Sequence, residues 1–116
     1  MTLDGIWAVE IYGVYGWESS GVLIFEGERI LGGGNNHFSV GTCKTSTEGE
    51  IHFSLFVKYH GRIRTLFGES REKFSVNFEG KFVDPIIEGT LERPDRDDMN
   101  ISCRMAKCTD IPAVSA

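Results

Sequence analysis

The sequence predicts an all-β protein, folded either as a small closed barrel or as a sandwich of two sheets. Apolar and polar side chains alternate with a period of two in several stretches, which is typical of strands with one buried face. Turns that contain glycine or proline separate the apolar stretches, and no convincing long helix is evident. The 116 residues, 41% of them hydrophobic, are enough to bury the core of a single domain.

Eight strands are predicted from these patterns. The first two segments, GIWAVEIYG and GVLIFEG, are short and rich in β-branched and aromatic residues. The alternation is clearest in IHFSLFVKY, and both EKFSVNFEG and MNISCRMAK repeat it. The predicted strands lie near residues 5–12, 20–26, 28–32, 37–45, 50–59, 72–78, 81–91 and 98–106.

The expected turns lie where glycine, or proline with aspartate, separates two apolar runs, at Glu26–Glu28, Glu48–Glu50, Glu79–Lys81 and Arg93–Asp98. Pro85 is a point at which the seventh strand could be split. The stretch HGRIRTLFGESRE has room for one short turn, and the last residues, TDIPAVSA, are predicted to be frayed. We therefore expect one domain over residues 1–108 and a flexible tail over residues 109–116.

Composition and charge narrow the classes of function. The net charge of -5 argues against direct nucleic-acid binding, which relies on Lys and Arg. No apolar run is long enough to span a bilayer, and the N-terminus lacks the features of a secretory signal. The cysteines Cys43, Cys103 and Cys108 are odd in number and form no Cys-x-x-Cys motif, so we expect reduced thiols in the cytoplasm.

The run Gly32-Gly33-Gly34 raises the question of a phosphate-binding loop. Such a loop opens a helix and carries a lysine after its last glycine. Here no lysine follows at once, and HFSVGTCKT is typical of a strand. The run is therefore interpreted as a connection in which the backbone needs positive φ or a close approach.

Residues for catalysis are not grouped in any recognisable motif. The histidines His37, His52 and His60 lie in or beside strands, and no serine or cysteine stands in a nucleophile elbow. Carboxylates cluster in turns, where solvation is their usual role. We predict no catalytic residue, no metal ligand and no cofactor.

One short pattern suggests how the barrel closes. Gly5-x-Trp7 opens the first strand, and Arg104 lies in the last strand. The pattern resembles the signature of calycin (lipocalin-like) barrels, in which the arginine packs across the indole and closes one end. Such a contact stabilises by roughly 0.5–2 kcal/mol through cation–π attraction and stacking.

Over residues 3–106 the chain resembles a small bacterial family, that of the negative regulator of type III secretion called GrlR. The features that carry the resemblance occur in the same order, namely Gly5 with Trp7, GVLIFEGERI, Gly32 and Gly33 with Gly41, Val57-Lys58-Tyr59, and LFG at Leu66–Gly68. Gly34 replaces the aspartate that is usual in the family.

The resemblance implies an eight-stranded antiparallel up-and-down barrel that is homodimeric and sequesters a transcriptional activator by protein–protein contact. An exposed acidic run carries that contact in the regulator. The equivalent turn here, TSTEGEI, has only Glu48 and Glu50 as acidic residues, and we expect these two to contact a basic protein partner.

The second predicted strand is apolar on both faces, because Val22 and Ile24 alternate with Leu23 and Phe25. In a barrel one of these sets faces outward, and a symmetric dimer would cover it. We therefore expect a homodimer whose interface contains Leu23 and Phe25. The alternative function is that of a carrier, since a barrel of this size can also hold one small apolar ligand.

Overall fold

The computed structural model describes residues 3–13, 15–60 and 72–113, which form a closed antiparallel β-barrel. Each strand is hydrogen-bonded to the next in the chain, and the last pairs with the first. The strands are β1 (Gly5–Gly13), β2 (Gly16–Glu26), β3 (Arg29–Gly33), β4 (His37–Thr45), β5 (Glu50–Tyr59), β6 (Lys73–Val83), β7 (Ile86–Arg93) and β8 (Arg96–Thr109). The predicted all-β, eight-stranded up-and-down barrel is thus confirmed, and the sandwich is not formed.

The up-and-down order defines two ends. The upper end carries the connection 34–36 and the turn 94–95, and the lower end carries the turns 27–28, 46–49 and 84–85. Strand β8 ends at Thr109, just inside the segment expected to be a tail. The short turn expected in HGRIRTLFGESRE falls largely within residues 61–71, outside the described residues.

The turn predicted at Glu79–Lys81 is wrong. These residues lie inside β6, and the chain turns instead at Asp84 and Pro85. Gly80 faces Gly89 across β6 and β7, and a Cβ on either glycine would come within 2.6 Å of the Phe78 ring. The glycine therefore marks the place where an aromatic ring lies against the wall, and not a reversal of the chain.

The inner face of the barrel is filled by large side chains, and aromatic rings occupy its lower half. The ring centroids are 6.3 Å apart for Trp7 and Phe25, 5.9 Å for Phe25 and Phe53, and 4.5 Å for Phe53 and Phe78. The first two pairs meet edge to face and the third is stacked, both favourable geometries. These rings fill the lower half of the interior.

Leu23 and Phe25 belong to this interior. Their exposed fractions are 6% and 0%, so the prediction that they form a dimer interface is wrong. The sequence pattern of β2 thus correctly predicts two alternating faces, but the face that packs in the core is the one expected at the interface. Val22 and Ile24 face outward instead. Val22 is 39% exposed, and Ile24 is half-buried.

The glycine run allows strands to approach closely. A Cβ on Gly32 would lie 2.3 Å from the carbonyl oxygen of Val22, and one on Gly21 would lie 2.2 Å from that of Gly33. Both distances are shorter than real Cβ contacts allow. Only Gly21 also has a positive φ, of 90°. The interpretation as a close backbone approach is confirmed, whereas the run itself needs no positive φ.

Candidate binding surfaces

Arg104 contacts a different tryptophan from the one expected. Its guanidinium lies 4.0 Å from the ring centroid of Trp17, and its Nε donates a hydrogen bond of 2.8 Å to Glu10. Trp7 is buried inside the barrel, where its Nε1 donates to the carbonyl oxygen of Leu3. Trp7 and Arg104 are on opposite faces of the wall, so the predicted Trp7–Arg104 contact is wrong.

Gly5, Trp7 and Arg104 nevertheless all lie at the seam where β1 pairs with β8. Trp7 pairs in register with Lys107, and Glu10 pairs with Arg104. At Gly5, whose φ is 144°, a Cβ would meet the backbone oxygen of Thr109 at 2.8 Å. Sequence reasoning missed Trp17 because the β1–β2 hairpin brings it to the seam only when the barrel closes.

The hairpin tip between β4 and β5 presents Glu48 and Glu50. Both residues are exposed, and the backbone N–H groups of both donate to Oγ of Ser46 at 3.2 Å. The Gly49 carbonyl accepts a hydrogen bond from the Phe82 N–H, which fastens the tip to β6. The two carboxylates therefore project from a turn that is held in place.

A second surface lies on the outer wall of β2 to β5. Ile24 pairs with Leu31, Leu31 with Val40, and Val40 with Phe56, so one apolar row crosses four strands in register. The row above it is Val22, Gly33, Phe38 and Lys58. We call the six apolar residues of these rows the outer apolar face, namely Val22, Ile24, Leu31, Phe38, Val40 and Phe56. Five of the six are between 38% and 45% exposed.

Strand β4 explains why bulky residues face outward here. Phe53 and Val57 on β5 fill the interior, and across from them β4 places the smaller residues Cys43 and Ser39. Alternation then directs Phe38 and Val40 to the outside. The small residues Ser39, Gly41 and Cys43 could have indicated the inner face of β4. In a small barrel, small inward residues on one strand often lie beside large inward residues on the next.

Charged residues stand at two corners of the outer apolar face. Glu26 lies at the lower corner on β2 and forms an ion pair with Arg29 on β3. Lys58 lies at the upper corner on β5, and Lys73 is its neighbour on β6. The face therefore has an ion pair at one corner and two basic groups at the diagonally opposite corner.

The upper half of the interior holds a chamber of about 60 Å³. Its walls are mainly apolar, with Leu55, Val57 and Val76 among them, while Ser20 and His37 add polar groups. For comparison, an engineered apolar cavity of about 150 Å³ binds benzene. The chamber is thus smaller than the site of even a compact aromatic ligand.

The thiols differ in their surroundings. Burial raises the pKa of Cys103 to about 12, while burial and then the charge of Glu28 raise the pKa of Cys43 to about 11. These two thiols stay protonated near neutral pH, which makes them poor nucleophiles. Cys108 is exposed.

Among residues 3–13, 15–60 and 72–113, no three His, Cys, Asp or Glu side chains are grouped so that they could hold a metal ion.

Comparison with known proteins adds no family name. The chain matches no protein-family model and no curated protein. The eight-stranded antiparallel barrel is consistent with a calycin-like fold. No helix within the described part of the chain is long and apolar enough to cross a membrane.

Proposed function

We propose that this protein is a non-enzymatic regulator that acts in the cytoplasm by binding other proteins with the outside of its barrel. The proposal follows the resemblance to the GrlR family, in which a homodimeric barrel sequesters a transcriptional activator. The observation that carries it is the distribution of bulky apolar side chains. They fill the inside to a residual chamber of about 60 Å³ and also form an exposed face on the outer wall.

Contiguous exposed apolar patches on a folded protein mark interaction sites for proteins, membranes or ligands. The alternative function, that of a carrier, needs space inside the barrel. The aromatic series from Trp7 to Phe78 occupies the lower half, and the remaining chamber is less than half the size of a benzene-binding cavity. The outer wall is therefore the better supported binding surface.

The contact with the activator is assigned to the hairpin tip at Glu48 and Glu50. Two carboxylates on a fastened turn are suited to a basic partner surface, because little conformational freedom is lost on binding. Lys81 lies opposite Glu50 in register on β6, so a basic partner would compete with it for that carboxylate.

This assignment predicts that Glu48→Lys combined with Glu50→Lys reduces capture of a partner from the native cell, mainly by slowing association. Capture by the tagged protein, followed by mass spectrometry, should enrich a transcriptional activator with the wild-type chain and lose it with the double variant. High salt should have the same effect, since such contacts are screened over roughly 10 Å at 0.1 M.

The matched control is Glu88→Lys with Glu92→Lys, which changes two exposed carboxylates on β7 by the same total charge. It should retain the partner. Equal recovery by both folded double variants would place the contact elsewhere on the barrel. Release of a bound apolar molecule on extraction, with no captured protein, would favour the carrier instead.

A further inference from the structure

We propose that the upper edge of β6 is a second binding site, which takes an acidic, extended segment of a protein partner as an added strand. The edge consists of residues 73–76. It lies at the opposite end of the barrel from the hairpin tip at Glu48 and Glu50, and it recognises the opposite charge. The inference goes beyond the proposed function, because it assigns a second partner surface.

Strand β6 begins higher in the barrel than β7 ends. Its pairing with β5 extends up to Lys73, whereas its pairing with β7 stops at Asn77 and Glu92. Above this point β7 ends in the turn at residues 94–95. Within the described part of the chain, residues 73–76 therefore have a paired strand on one side only.

The open side of this edge presents the backbone groups of Lys73 and Ser75. The Tyr59 N–H donates to the carbonyl oxygen of Glu72, so the backbone polar groups of Glu72 point towards β5. Because these groups alternate in direction along a strand, those of Phe74 also point to β5, and those of Lys73 and Ser75 point away from it. Two N–H and two C=O groups thus face the open side, which is the arrangement that an extended peptide uses when it adds a strand to a sheet edge.

A recess beside the edge has room for the side chains of such a segment. Its volume is about 320 Å³, and it is bordered by Phe56 and Ser75 on the outer wall and by residues 93–95 at the turn. Ser75 is small and pairs in register with Phe56, which is 38% exposed. An aromatic side chain opposite Ser75 can therefore extend over it onto the Phe56 ring.

The charge of the site favours an acidic segment. Lys58 and Lys73 lie directly opposite each other on the outer wall, and like charges in this arrangement are unfavourable in a sheet. Neither lysine forms an ion pair with a carboxylate of the described residues. Asp95, which borders the recess, is instead bonded to the buried Arg93. A carboxylate placed opposite Lys73 relieves the repulsion, since the long side chain of Lys58 can also turn towards it.

A lysine on an open strand edge also has a simpler role, which is to prevent edge-to-edge aggregation. That role accounts for Lys73 alone. Lys58 lies on β5, which has paired strands on both sides, so it has no edge to protect. The pair of lysines is therefore better explained by a shared acidic ligand group.

The geometry selects an antiparallel segment with the pattern aromatic-x-acidic. Strand β6 runs from the upper to the lower end, so an antiparallel segment places its first residue opposite Ser75 and its third opposite Lys73. Residues in these two positions exchange both backbone hydrogen bonds with β6 and direct their side chains outward. The residue between them directs its N–H away from β6.

Titration of the isotope-labelled protein with the peptide acetyl-Phe-Thr-Glu-Thr-amide, followed by NMR, tests the site. The amide signals of Lys73 and Ser75 should shift and saturate at roughly millimolar peptide or below, while those of Glu48 and Glu50 stay in place. Methylation of the peptide nitrogen of the glutamate removes the N–H that bonds to β6, so it should weaken binding at least tenfold. Methylation of the nitrogen of the first threonine, which points away from β6, should leave binding unchanged.

Charge reversal on the protein provides the second measurement. Lys73→Glu and Lys58→Glu should each weaken binding of the peptide by about tenfold, because each places a like charge beside its carboxylate. The matched control is Lys81→Glu, an exposed change of the same charge lower on β6, which should bind as the wild type does.

The absence of shifts at Lys73 and Ser75 in several millimolar peptide would overturn the proposal. Equal binding of the two methylated peptides would also overturn it, since the contact would then depend on charge and not on strand addition. Both outcomes leave the assignment of the hairpin tip untouched, because an acidic peptide does not probe a surface whose own charge is negative.

Discussion

Arg104 shows how one side chain joins the two strands that close the barrel. Its guanidinium stacks on Trp17 of β2 and bonds to Glu10 of β1, while the residue itself belongs to β8. Three strands are thus connected on the outer wall at the seam. The buried Trp7 takes no part in this cluster and instead begins the aromatic series of the interior.

Replacing Arg104 by alanine should lower the free energy of unfolding by about 1 kcal/mol, through loss of the stacking and of the Glu10 contact. Trp17→Leu should have a similar effect, and a double-mutant cycle should show coupling between them of roughly 0.5–1 kcal/mol. The variant Arg104→Lys should recover little of the lost stability, because the ammonium group of lysine is not planar and cannot stack on the indole ring as a guanidinium does. Chemical denaturation measures each value.

Ser102→Ala serves as the control, since Ser102 is an exposed outward residue on the same strand. Strong coupling of Arg104 with Trp7, in place of Trp17, would contradict this assignment.

At the scale of elements, two glycines allow β6 to continue through a stretch that has the appearance of a turn. Gly80 and Gly89 face each other across β6 and β7, and the Phe78 ring lies against both. The strand can therefore continue through Glu79–Lys81 to Val83. In the sequence, a glycine between charged residues in a turn looks the same as one that packs against an aromatic ring within a strand. Only the pairing of β6 with β7 distinguishes the two cases.

Gly80→Ala should destabilise the protein by roughly 1–3 kcal/mol, because the new Cβ would lie 2.3 Å from the Glu88 carbonyl oxygen and 2.5 Å from the Phe78 ring. A turn glycine with open space around it would tolerate the change far better. Thermal unfolding of Gly80→Ala beside Ser75→Ala, an exposed outward change on the same strand, measures the difference. Equal melting temperatures for the two variants would refute the close packing of Phe78.

At the scale of the whole molecule, the two halves of the interior differ. The lower half is packed by stacked and edge-to-face aromatic rings, and the upper half retains a chamber of about 60 Å³. Most of the chamber lining is apolar, so additional methylene groups there meet other carbon atoms and no charged group. The remaining space of the interior is thus small and lies in its upper half.

Val57→Ile should therefore raise the free energy of unfolding by up to about 1 kcal/mol, since one more methylene is buried without displacing a neighbour. The opposite change, Val57→Ala, should lower it by roughly 2 kcal/mol by enlarging the chamber. Denaturant titration of both variants provides the measurement. A loss of stability with isoleucine would contradict the presence of free space beside Val57.

The sequence by itself determined the strand count, the all-β class and the inner face of the strands whose alternation is strong. In β5, Ile51, Phe53 and Leu55 are buried as the pattern predicts, because a period of two places alternate side chains on one side of any strand. Turns with glycine or proline near residues 27, 49 and 94 were also located, since these residues act through local backbone geometry.

Only the tertiary structure decided which face of an ambiguous strand is inside, and which residue meets Arg104. Strand β2 is apolar on both sides, so its own pattern cannot decide whether Leu23 or Val22 faces the core. The register of β2 with β1 and β3 determines that Leu23 faces the core. The bulky inward residues of β5 determine in the same way which face of β4 points inward. These contacts join residues far apart in the chain, and they depend on closure of the barrel, for which no local pattern exists.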